Sequence, residues 1–159
     1  MNRKLLGIYL NDHLGGSTVG VELARRVARE NEHSELGDFL ANLAQEIDSD
    51  RAALMAVMDD LEIRKDPVRR AFGWAAEKAG RLKPNGQLRG YSPLSLLVEL
   101  EGLALGVTGK LALWKALRLL VDEEPRLREH PLERLVERAE SQQRQIEERR
   151  LAAARQAFA

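Results

Sequence analysis

The run from Pro93 to Val121, PLSLLVELEGLALGVTGKLALWKALRLLV, limits the possible folds more than any other stretch. Leu96, Leu100, Leu103, Val107, Leu111, Trp114 and Val121 recur at helical spacing and form one continuous apolar stripe. Glu101, Thr108 and Lys115 fall on the far side, while Glu99 and Lys110 sit at the stripe's edge. A charge at a bilayer centre costs a few kcal/mol or more, so Glu99, Glu101 and Lys110 argue against a membrane span. A long apolar helix outside a membrane has to be wrapped by other helices.

The rest of the chain supplies them. Its 159 residues suffice for one domain with a real core. Aromatics are only 4%, with Ala, Leu, Glu and Arg abundant, which favours helices over a sheet. The 25 basic and 25 acidic residues cancel, so the overall field gives no reason to expect nucleic acid or an anionic membrane as partner. A protein partner or homodimer is the expected kind of contact. Absence of cysteine excludes disulfides, thiolate metal sites and a cysteine nucleophile, and suits a reducing, cytoplasmic setting. The N-terminus lacks a clean cleavage signal, because Asn11, Asp12 and His13 interrupt its apolar patch.

Taken in order, the periodicity predicts helices over about residues 4–31, 35–62, 67–82, 94–121 and 132–157. The first keeps its phase through Gly15, Gly16 and Gly20. Ser34 caps the second, making a tight antiparallel hairpin with the first. Asp66-Pro67 opens a short basic helix inside a connection far longer than a hairpin needs. That connection allows the second and third long helices to run parallel. Ser92-Pro93 starts the third, and Pro125 and Pro131 separate it from the fourth.

Two helical hairpins joined by a long crossover resemble the ferritin-like four-helix bundles over nearly the whole chain. The segments VELARRVA, PLSLLVELEGLALGVTGKLALWKAL and GWAAEKAGRLK also resemble a group of small bacterial proteins with ferritin-like folds, which brings no activity with it. The resemblance implies an all-α, ferritin-like bundle whose crossover carries a short extra helix. Di-iron members hold their metals with a Glu on two helices and Glu-x-x-His on the other two. Here Ser49 and Gln143 stand where the histidines after Glu46 and Glu140 would be. The expectation is therefore a chain without cofactor or catalytic residues, acting as a structural or interaction protein. The alternative is a divergent metal-binding or oxidoreductase member using His13, Glu46, Asp50, Glu99 and Glu140.

Other polar residues carry further expectations. His13, Ser17, Asp50, Lys110 and Gln143 fall on inward faces and are read as a buried layer in which Asp50 pairs with Lys110 or His13. Glu99 is read as paired with Arg149 or Arg150 of the fourth helix. The 64–89 stretch holds eight basic residues against Asp66 and Glu77. Arg69, Arg70, Trp74, Lys78 and Arg81 there form the surface through which a peripheral binder of membrane or nucleic acid would act. Gly15, Gly16 and Gly20 on the first helix and Gly102, Gly106 and Gly109 on the third are read as close packing between those helices or as a dimer contact.

Overall fold

The structure is a computed structural model that describes residues 1–66 and 91–159. Among these residues it is all-helical. The four long helices are α1 (Arg3–Glu30), α2 (Glu35–Asp60), α3 (Pro93–Leu119) and α4 (Leu132–Phe158). A 3-10 turn over Pro125–Glu129 lies between α3 and α4 and was not evident from periodicity. The helix expected over 67–82 lies outside the described residues. No described helix is long and apolar enough to cross a membrane.

Short polar side chains start three of the helices. Asn2, Ser34 and Ser92 accept hydrogen bonds from the backbone N–H groups of Leu5, Gly37 and Ser95, each at 3.1 Å. Pro93 occupies the first turn of α3, where its missing N–H costs nothing. The α1–α2 turn is tight enough to need two special residues. His33 takes the left-handed φ of 65°, and Gly37 brings its α-carbon hard against the preceding backbone. A methyl group at Gly37 would lie 2.2 Å from the Asn31 carbonyl oxygen.

The helix directions follow from paired residues. Arg26 meets Glu99, and a methyl group at Gly102 or Gly109 would touch Leu23 or His13, so α1 and α3 are antiparallel. Arg138 meets Asp50 and Gln142 meets Glu46, so α2 and α4 are antiparallel too. With α1 and α2 joined as a hairpin, α2 and α3 run parallel on a diagonal of the bundle. The ends of their connection are pinned beside α1. Asn11, buried on α1, donates to the Arg64 carbonyl and accepts from the Asp66 N–H. Tyr91 lies within 3.5 Å of the Asn31 side chain. Asn11 and Asn31 are about 30 Å apart along the helix at 1.5 Å per residue.

The apolar core has two parts. One gathers Leu10, Leu14, Leu54, Met58, Trp114, Leu117, Leu127 and Leu135 at the end where the 3-10 turn lies. The other gathers Val21, Val27, Leu40, Leu43, Leu100, Leu103, Val107 and Ile146 toward the α1–α2 turn. A polar layer and a cleft occupy the level between them.

Candidate functional site

The polar layer is built from α2, α3 and α4. Asp50, with 1% of its side chain exposed, accepts from the Lys110 Nζ on one oxygen and from Arg138 on the other. Lys110 also donates to the Gln142 carbonyl oxygen, and the Gln142 amide donates to Glu46 at 2.7 Å. Apart from the buried Arg138 Nε–H, the polar groups of this layer find partners in one another, and its two acids and two bases cancel. Burial pulls the Lys110 ammonium below the ordinary lysine range, and the neighbouring Asp50 carboxylate opposes that shift.

Gln142 fills the place on α4 that the periodicity gave to Gln143. Gln142 is 1% exposed, whereas Gln143 is at the bundle surface, donating to the Thr108 hydroxyl at 2.9 Å. His13 and Ser17 do not bond to the layer. Ser17 donates to its own Leu14 carbonyl at 2.7 Å, and His13 packs edge-on against Tyr9 with ring centres 4.5 Å apart. Both face a cleft instead.

That cleft measures about 520 Å³ and opens between α1, α2 and α3. Tyr9, His13 and Ser17 form a polar line along its α1 wall, with Gly16 and Gly20 beside them. Gly102, Gly106, Gly109 and Leu105 form the α3 wall, and Ile47, Leu54, Leu103, Val107 and the Asp50–Lys110 pair lie deeper. Gly16 and Gly106 do not bring α1 and α3 into close contact as expected. A methyl group at Gly16 or at Gly106 would meet nothing within 4 Å. Gly102 sits tight, with a would-be methyl 3.3 Å from Leu23. Burial keeps the His13 imidazole below the ordinary histidine range, an effect that Asp12 partly opposes.

Glu99 is also corrected. It is buried on the α1 side of α3, where Arg26 and the Tyr91 hydroxyl donate to its two oxygens, each at 2.7 Å. Burial, together with the hydrogen bond to Glu99, drives the Tyr91 phenol well above the ordinary tyrosine range. Arg150 instead meets Glu101 and Glu147, and Arg149 lies 3.7 Å over the Phe39 ring.

The di-iron centre implied by a ferritin-like fold does not fit these residues. Asp50 is held by two cations, Glu99 by Arg26 and Tyr91, and Glu140 by Lys115 at 2.8 Å on the surface. Glu46 accepts from Gln142, and His13 stands apart on the cleft wall. Among the described residues no three His, Cys, Asp or Glu come together as a metal would need. Besides Arg138, which holds Asp50, periodicity missed Asn11 and Gln142. Both are buried amides, and nothing in their spacing separates them from surface polar residues. Arg69, Arg70, Trp74, Lys78 and Arg81 lie outside the described residues. No family model, curated protein or solved structure matches the chain.

Proposed function

We propose that the protein is a non-enzymatic binding bundle that holds one small, largely apolar molecule in the cleft between α1, α2 and α3. The observation that carries this reading is the gap at Gly16 and Gly106, where two helices that could pack instead leave a cleft of about 520 Å³. Pockets that take small molecules run to about 300–1,000 Å³, mostly apolar with a few placed polar groups. Two antiparallel hairpins with parallel inner helices support the ferritin-like reading of the fold. The carboxylates of that fold are engaged by internal cations and donors here, which favours binding over redox chemistry. A cysteine-free chain suits a cytoplasmic setting.

Gly106→Leu tests the reading. The new side chain enters open space, removes a helix glycine, and fills the cleft. N-phenyl-1-naphthylamine, an uncharged dye that brightens in apolar sites, should bind the wild type at one per chain. It should lose that binding in the variant while thermal stability holds or rises. Equal dye binding by a folded Gly106→Leu variant would place the dye elsewhere and end the proposal.

A further inference from the structure

The cleft's shape and polarity restrict what it can hold, and this inference rests on the binding reading above. Across an antiparallel helix pair, residues at one level have position numbers of constant sum. The His13–Gly109 and Leu23–Gly102 contacts put Gly16 within about a turn of the level of Gly106. Neither glycine has an atom within 4 Å of where its methyl group would be. Both glycines thus present bare backbone to the open space of the cleft. Walls without side chains suit a flat occupant better than a round or branched one.

Most polar groups at the walls are neutral or already answered, while the Arg51 Nε–H and the Trp114 indole N–H are buried without a partner among the described residues. Tyr9 supplies a phenol, Ser17 a hydroxyl whose proton is given to the Leu14 carbonyl, and His13 an imidazole that burial favours in its neutral form. Asp50 is matched by Lys110 and Arg138, and Arg51 faces Asp48 at 3.7 Å. An ionised ligand group would meet charges of both signs there, Asp12 and Asp50 against Lys110 and Arg51, and would lose its hydration, a cost of several kcal/mol in a site of this kind.

We infer that the cleft takes a flat, uncharged ring system bearing a hydroxyl or carbonyl oxygen, lying between the glycine faces of α1 and α3 with that oxygen hydrogen-bonded to His13. The aromatic or quinoid plane fills the Gly16–Gly106 gap, and the imidazole serves as acceptor or donor according to its tautomer. Lys110 and Asp50 close the floor as a neutral pair and make no direct bond to the ring.

Calorimetric titration with three probes tests this. 2-Naphthol is flat and uncharged, 2-naphthoate has the same rings with a charge, and 1-decanol is uncharged but flexible. The expected order has 2-naphthol binding at least tenfold more tightly than either of the others. His13→Phe should weaken 2-naphthol by roughly tenfold, the value of one hydrogen bond, with 1-decanol hardly changed. Tighter binding of 1-decanol, lost in Gly106→Leu, would keep the cleft as a binding site and overturn the flat-ring inference. Tighter binding of 2-naphthoate would overturn the uncharged class. Failure of all three probes and of the dye would overturn both readings together. A His13→Gln variant that binds 2-naphthol like the wild type, while His13→Phe does not, would agree with the hydrogen bond. Unchanged binding in both would remove His13 from the site.

Discussion

Asp50→Asn is the most informative single change to the polar layer. The carboxylate is almost wholly buried and carries both Lys110 and Arg138. Without its charge, two cations face each other across an amide. Arg138, with 35% of its side chain exposed, can turn toward water, but Lys110, at 12%, cannot do so easily. Removing one partner of a buried ion pair costs about 3–5 kcal/mol. The Gln142 carbonyl still accepts from Lys110, so the lower figure, about 3 kcal/mol, is expected. With a urea m-value of about 2 kcal/mol/M, the unfolding midpoint should fall by about 1.5 M. Circular dichroism in a urea series at neutral pH measures it.

The pH dependence gives the same experiment a second reading. Losing Asp50 removes the charge that opposes the burial-driven fall of the Lys110 value. Between that lowered folded value and the ordinary 10.5, the unfolded chain binds more protons than the folded one. Stability of the variant should therefore rise as pH rises through this window. Adding Lys110→Met to Asp50→Asn removes the stranded cation and should restore about 2 kcal/mol, a coupling typical of contacting residues. A single variant within about 1 kcal/mol of wild type, or a double variant no better than the single, would refute the argument that this pair is buried and interdependent.

Other outcomes follow from the same geometry. Gln142→Ala should cost about 1–3 kcal/mol by stranding Lys110 and Glu46, while Gln143→Ala should stay within about 0.5 kcal/mol; equal effects would contradict the observed orientation of α4. Gly16→Ala and Gly106→Ala should each add about 0.8–1 kcal/mol, read as a rise of about 2–4 °C in melting temperature, because their methyl groups enter open space. Gly37→Ala should lose about 3 kcal/mol through its clash with the Asn31 carbonyl, and a neutral result there would mean the hairpin turn relaxes. His13 contributes stability that is complete above its ordinary 6.5 and is lost as pH falls through its lower folded value, so urea midpoints at pH 5.5 and 7.5 should differ less in His13→Phe than in the wild type.

Much of the helical frame was legible because strong local signals agree with tertiary packing. Ser34 and Ser92-Pro93 mark helix starts, and the stripes of the four long helices fall within a residue or two of the observed ends. The 3-10 turn was not legible, since five residues carry no period. The inward amide on α4 could not be chosen from the stripe either. Gln143 lies about 35° from its centre and Gln142 about 65° on the other side, so periodicity favours the residue that the bundle leaves outside. What separates them is chemistry on other helices, with Lys110 and Glu46 on one side and Thr108 on the other. Glu99 and Glu101 pose the same problem. Glu99 sits at the edge of the α3 stripe and Glu101 on its far side, and only the placement of α1 and α4 decides that Glu99 meets Arg26 and Glu101 meets Arg150. The cleft was hidden for a further reason: a glycine pattern records missing side chains, and a close contact and an open gap produce the same pattern.

The division of the core at Asp50 bears on how this chain can change over time. Leu54, Met58 and Leu117 on one side share few neighbours with Leu43, Leu100 and Ile146 on the other. Substitutions placed on opposite sides should therefore combine additively, while those on one side should depend on each other. Mutational drift can repack either half without asking the other to follow, so long as the charges between them stay matched. The bundle is in that sense two evolvable modules on continuous helices, with the cleft at their seam.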